Sequence, residues 1–190
     1  MTLAKSAVTR EAIQEAARNA FARKGYSATS VTEIAQDLHV TRANFYYYYR
    51  DKEQLFVELG TATYRDTIGL IEAFNLLEHP PELDQVRGWV ESYFHHLDHN
   101  GAFLVRAIDD CPDDPDFRAK VKRLHRKSAS QLGGYITARS TGAYTSAVSI
   151  GMSVMAMLER SWLLARATTV DHGPAAAIRS NAEILWRMIR

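Results

Sequence analysis

Apolar residues along this chain recur at helical spacing. Ile13, Ala16, Ala17, Ala20 and Phe21 fall at i, i+3, i+4, i+7 and i+8, which lines one face of a helix. The pattern predicts a helix from a Thr9 cap to about Lys24, closed by Gly25, with residues 1–8 as a flexible arm. Ser30 followed by Glu33 is a capping-box pattern, so a second helix starts near Val31. Ile34, Ala35 and Leu38 give it a narrow apolar stripe. Val40 puts an apolar residue into the turn that follows, and Phe45 anchors a third helix. Two short helices packed across so tight a turn form a helix-turn-helix. His39 sits in that turn, and histidine is among the residues that tolerate positive φ.

Beyond residue 52 the pattern lengthens. Leu55, Phe56, Leu59, Ala62 and Thr63 line a helix from Lys52 toward Leu77, which His79-Pro80-Pro81 breaks. Val86, Trp89, Val90, Tyr93, Phe94 and Leu97 line another, over about Glu82 to His99. Asn100-Gly101 reads as a turn and Ala102 to Asp109 as a short helix. Asp114 caps a helix that has Pro115 at its first position and runs to about Arg139. A loop at Ser140-Thr141-Gly142 leads into a helix from about Tyr144 to Ala167. Asp171-His172-Gly173-Pro174 links it to a last helix over Ala175 to Arg190. No useful strand alternation appears. The expected fold class is all-α, with about nine helices: a three-helix helix-turn-helix head over 9–52 and a helical body over 53–190.

The third helix is built to be touched. Four consecutive tyrosines, Tyr46 to Tyr49, cannot all enter a core, because successive helical residues diverge by about 100°. At least two phenols must lie near the surface. Thr41, Arg42, Asn44, Tyr46, Tyr47 and Lys52 place hydrogen-bonding groups around one short helix. DNA readout needs such groups on a helix slim enough for the major groove, flanked by phosphate contacts. Arg42 suits a guanine edge and Asn44 an adenine edge. Thr32, Tyr46, Tyr47 and Lys52 suit phosphates or base methyls. Tyr48 and Tyr49 suit packing.

These residues also carry a resemblance. Gly25-Tyr26, Thr29-Ser30, Ile34-Ala35, Val40-Thr41, Phe45 to Tyr49 and Arg50-Asp51-Lys52 resemble the DNA-binding domain of the tetracycline-repressor (TetR) family. The match covers roughly the first third of the chain. His39 departs from it, since the family usually has glycine there. The resemblance implies contacts to DNA from Thr32, Thr41, Arg42, Ala43, Asn44, Tyr46, Tyr47 and Lys52. It also implies a body that binds an effector and dimerises.

Charge agrees with a head that faces phosphates. Residues 1–52 hold eight Lys/Arg against five Asp/Glu, a net +3; the remainder holds fifteen against seventeen, a net −2. Apolar residues at 46% and charged residues at 24% are ordinary for a soluble domain. One cysteine, Cys111, allows no intrachain disulfide and suits a reducing cytoplasm. The start of the chain lacks the apolar region of a secretory leader. Ala147 to Leu158, interrupted by Ser149 and Ser153, is too short to span a bilayer. The expected location is the cytoplasm, with no membrane partner.

In the body, Trp89, Tyr93, Phe94, Phe103, Tyr135, Met152 and Met155, with His125 and Ser128, are candidates to line a pocket for a largely apolar small molecule. Gly151, Met155, Leu158, Trp162, Ile178, Ala182, Leu185 and Ile189 on the last two helices are candidates for a dimer face, pairing as a four-helix bundle. His95 and His99 share a helix face. With only Asp98 nearby they fall short of the converging ligands zinc needs, so neither metal nor cofactor is expected. Phosphate-loop, dinucleotide, zinc-protease and nucleophile-elbow motifs are missing, which argues against an enzyme. The expected function is sequence-specific DNA binding as a homodimer on a two-fold symmetric, double-stranded operator. An unidentified small-molecule effector would release the repressor.

Overall fold

The computed structural model describes residues 2–106, 110–140, 142, 144, 146–167 and 173–190. Among these the chain forms eight α-helices and one π-helical turn, with no strand. They are α1 Thr2–Lys24, α2 Val31–Asp37, α3 Arg42–Tyr48, α4 Lys52–Asn75, α5 Leu83–Gly101, the π-helical turn Ala102–Arg106, α6 Pro115–Arg139, α7 Ala147–Ala167 and α8 Pro174–Ile189. The expected loop position 141, the linker at 171–172 and the end of the short helix at 107–109 lie outside the described residues.

The chain divides into two compact units: Met1–Tyr64 with His99–Ala119, and Arg65–Asp98 with Lys120–Arg190. Helices α4, α5 and α6 each contribute to both. A simple break after residue 52 therefore does not describe the chain. The reason lies in the core of the first unit. Ile13, Ala17, Phe21, Ile34 and Phe45 pack there with Leu55, Phe56 and Leu59 from α4 and with Phe103 and Cys111 from the α5–α6 connection. Phe21, Phe56 and Phe103 form a three-ring cluster with centroids 5.0 to 6.1 Å apart. Such aromatic contacts add to the area they bury.

Two expectations need correction. Helix α1 begins at Thr2, so the first residues extend the helix instead of forming a loose arm; Ala4, Lys5 and Ala7 favour helix, and no Gly or Pro interrupts. Asn100-Gly101 is not a turn. The Asn100 side chain is buried and accepts from the Thr63 hydroxyl at 2.9 Å and from Arg18, and that keeps the backbone helical into the π-helical turn.

In the second unit, Phe74, Trp89 and Tyr93 stack in sequence, with centroids 4.9 and 5.4 Å apart. The Trp89 indole donates to the Leu70 carbonyl at 2.8 Å. Helices α6 and α7 come into backbone contact at Gly151, where a Cβ would stand 1.8 Å from the Ala129 oxygen. Leu158, Ala182, Leu185 and Ile189 complete the packing of α7 and α8.

Candidate nucleic-acid interface

Local caps set the position of α3. Ser30 caps α2 by accepting from the Glu33 amide at 3.1 Å. The reverse half of the expected capping box does not form, because the Glu33 carboxylate pairs with Lys24 at 2.6 Å instead. At the other end of α2, His39 adopts φ 54°. Its amide reaches the Gln36 carbonyl and the Val40 amide reaches the Ala35 carbonyl, both at 3.0 Å. That pair of bonds is a Schellman motif, with histidine in the left-handed position that glycine usually fills. Thr41 then caps α3, accepting from the Asn44 amide at 3.4 Å.

This geometry fixes which residues face out. Phe45 is fully buried, while Thr41, Arg42, Ala43, Asn44, Tyr46 and Tyr47 are all exposed, as is Thr32 on α2. Tyr47 is 78% exposed and Tyr46 47%, so two of the four phenols reach the surface. Tyr49 is buried against Phe45, with the Arg10 guanidinium 5.6 Å from its ring, and burial raises its phenol pKa. Tyr48 is half-buried against Tyr47.

The exposed side chains are oriented by one another. The Thr41 hydroxyl donates to Asn44 Oδ1 at 2.7 Å. Arg42 lies along Tyr46, one turn on, with Nη2 3.4 Å from the phenol oxygen and the guanidinium carbon 5.9 Å from the ring centroid. A guanidinium held this way retains its remaining N–H donors for an external acceptor. Gln36 is exposed one turn from Thr32 on α2. Sequence reasoning passed over it, although the i, i+4 spacing from Thr32 was there to be read.

Lys52 is placed differently from the expectation. Its ammonium donates to the carbonyl oxygens of Tyr26 at 2.6 Å and Thr29 at 2.8 Å, and lies 4.0 Å from the Tyr26 ring. Desolvation lowers its pKa, opposed by the charge of Asp110. The side chain is half-buried and tied to the α1–α2 loop, so it does not point out with the residues of α3. Asp110 holds the same loop, accepting from the Ser27 amide at 3.0 Å and the Ser27 hydroxyl at 2.6 Å. Burial pushes the Asp110 pKa up, but these hydrogen bonds and Lys52 bring the net shift down. Gly25, at φ 85°, lies so close that a Cβ there would stand 1.9 Å from Asp110 Oδ2.

Comparison with known proteins agrees with this geometry. Residues 13–59 match the family model described as "Bacterial regulatory proteins, tetR family". The Transposon Tn10 TetC protein of Escherichia coli is 33% identical over 94 residues, 48% of this chain and 44% of that protein. The uncharacterized HTH-type transcriptional regulator YuxN of Bacillus subtilis is 40% identical over 55 residues, 29% of this chain and 19% of that protein. This chain thus spans less than half the length of the curated relatives it matches. A TetR-family transcriptional regulator from Agrobacterium tumefaciens, known by crystal structure, superposes with a TM-score of 0.70 at 21% identity. That match covers 97% of this chain and 98% of the other. Residues 13–59 form a TetR-family DNA-binding head.

Beyond this TetR-family head, the body residues named from sequence separate into several groups. Phe103 belongs to the aromatic core of the first unit, because the π-helical turn carries it there. Trp89, Tyr93, Phe94, Ser128 and Met155 are buried in the second unit, and His125 and Met152 are half-buried. Tyr135 lies apart from that group, its hydroxyl donating to Glu72 at 3.0 Å. The expected dimer face is turned inward. Met155, Leu158, Ala182, Leu185 and Ile189 are buried within the unit, and Gly151 packs on α6. Trp162 and Ile178 are half-buried, and the Trp162 indole donates to Asp98 at 2.8 Å. Among the described residues, the large apolar side chains that face solvent on α7 and α8 are Leu164, 47% exposed, and Ile184, 49% exposed. Leu164 also lines a cavity of about 360 Å³ with Ser161, Ala165, Ala176, Ala177, Ser180 and Asn181.

Proposed function

We propose that this chain is a transcriptional repressor that binds a two-fold symmetric operator as a homodimer and is released by a small, largely apolar effector. The observation that carries the reading is the exposed face of α3. Thr41, Arg42, Asn44, Tyr46 and Tyr47 point outward from a seven-residue helix whose Phe45 is locked in the core. Arg42 and Asn44 stand in its first turn, the part of a recognition helix that meets base edges. Thr32, Gln36, Tyr46 and Tyr47 supply contacts to phosphate and sugar, which set register without reading sequence.

Dimerisation is supported by what α7 and α8 leave uncovered. Helix α7 is apolar enough over its length to cross a bilayer, yet only 22% of that apolar window is buried within the chain. Arg160 and Arg166 interrupt it, which suits a protein partner better than lipid. A second copy covering Leu164, Ile184 and the cavity that Leu164 lines would remove this exposure. The cytoplasm is the compartment where such a regulator meets its operator.

The test is transcription in vitro from a promoter carrying a site selected by this protein. Repression is expected with the native chain and not with Arg42→Ala. Equal repression by both, or activation, would overturn the reading.

A further inference from the structure

Inside the second unit, several polar atoms are enclosed without partners among the described residues. Glu159 Oε1, His125 Nδ1 and Ser128 Oγ are all shut off from solvent with no hydrogen bond. Each such atom costs stability, and natural proteins keep few of them without a reason. The three belong to one seam. Gly151 faces Ala129 and Gly133 faces Ala147, so α6 and α7 run antiparallel in a fixed register. Counting back one turn from Ala129 and forward one turn from Gly151 sets His125 opposite Met155. Glu159 is one further turn along α7. Ser128 adjoins Ala129 on the same side of α6.

The Glu159 carboxyl also meets the aromatic step from α4 and α5. The Tyr93 hydroxyl lies close enough to lower the carboxyl's pKa without forming a hydrogen bond that satisfies it, and the Tyr93 ring packs on Trp89, which meets Phe74 edge-on. No lysine or arginine among the described residues pairs with it. Burial dominates its protonation, with Tyr93 opposing, and pushes its pKa up to about 7. His125, the titratable group facing the seam from α6, is held below its usual pKa by burial and is neutral at pH 7. A buried carboxyl beside aromatic rings, with no protein cation to neutralise it, is chemically a receptor for a positive charge.

We propose that the effector of this regulator is an organic cation, an ammonium carried on an apolar skeleton, whose charge pairs with Glu159 and whose apolar part lies on Trp89 and Tyr93. The inference rests on the effector-binding role proposed above and narrows it from largely apolar molecules to cationic amphiphiles. Ser128 and His125 would then hydrogen-bond polar atoms of the same ligand.

The experiment is calorimetric titration of the native chain with three ten-carbon probes below their micelle concentrations: decyltrimethylammonium, decanol and decanoate. The ammonium should bind at least about tenfold more tightly than the alcohol, with decanoate weakest. Repeating the ammonium titration at pH 7 in phosphate and in Tris reads proton release. Pairing drives a half-protonated Glu159 to carboxylate, so up to about half a proton should leave per site, and none on binding decanol. Glu159→Gln should abolish the preference for ammonium and leave decanol binding unchanged. The proton count keeps the proposal testable if that variant fails to fold. Equal binding of ammonium and alcohol with no proton release would overturn the cationic ligand while leaving an effector pocket in place. Failure of all three probes to bind would overturn the pocket itself, and the proposal with it.

Discussion

The Lys52 ammonium donates to the Tyr26 carbonyl oxygen at 2.6 Å while packing on that residue's ring. The contact ties the first turn of α4 to the loop between α1 and α2. Lys52 thereby supports the surface that carries Arg42 and Asn44.

A phosphate contact and a structural clamp predict different outcomes for Lys52→Ala. Loss of a phosphate contact would flatten the salt dependence of DNA binding by about one unit per half-site. Loss of the clamp leaves the slope unchanged. It should destabilise the chain by roughly 1–3 kcal/mol, the range for hydrogen bonds to a charged group. Denaturant unfolding alongside binding titrations at several salt concentrations separates the two, and an unchanged slope with a lower unfolding midpoint is expected.

On α3 the expectation is loss of discrimination. Arg42→Ala should cost about 1–3 kcal/mol per half-site and relax the preference at one base position. Tyr46→Phe, which removes the hydroxyl that orients Arg42, should produce a smaller loss at the same position. Titration against single-base variants of the selected site checks both. Equal weakening on selected and scrambled DNA would remove Arg42 from the set of base readers.

Two backbone positions make opposite predictions. His39 holds φ 54°, a region costing a non-glycine residue about 1–2 kcal/mol, so His39→Gly should be neutral to stabilising despite glycine's greater unfolded-state entropy. Gly25→Ala should destabilise by more than this strain alone, because the new Cβ also displaces Asp110 and with it the bonds to Ser27. In thermal unfolding the midpoint should fall for Gly25→Ala and hold or rise for His39→Gly.

Glu159 predicts a pH signature in the unliganded protein. Its folded pKa, about 7, lies above the ordinary value of 4.5, so the folded state binds the extra proton. Stability contributed by this group is therefore full below about pH 4.5, falls as pH rises toward 7, and is lost above it. Glu159→Gln removes the penalty. The variant should be more stable than the native chain at pH 8, by roughly 3 kcal/mol, and no more stable at pH 4.5. Urea unfolding at the two pH values is the check, and equal stabilisation at both would contradict the assignment.

The head was legible in the sequence because each of its devices is local. Ser30 and Gly25 announce caps within a few residues, and the His39 turn and Phe45 anchor follow from the same short stretch. What the sequence did not show is long-range. Lys52 looks like any exposed cation beside a DNA-reading helix until the fold brings the Tyr26 and Thr29 carbonyls to it. Asp110 is eighty-three residues from its partner Ser27. Phe103 has the composition of a pocket residue, and only its placement by the π-helical turn assigns it to the head's core. On α7 and α8 the apolar stripe is wide enough to serve either the core or a partner. Sequence periodicity marked Leu158 and Leu185 without indicating that Leu164 and Ile184 are the side left open.

The most direct test of the central claim is selection of bound DNA from a random double-stranded pool, with the native chain and with Arg42→Ala in parallel. The native chain should enrich one inverted repeat, and Arg42→Ala the same repeat with one base pair relaxed in each half-site. Failure of the native chain to enrich any sequence, or enrichment of an identical site by both proteins, would contradict it.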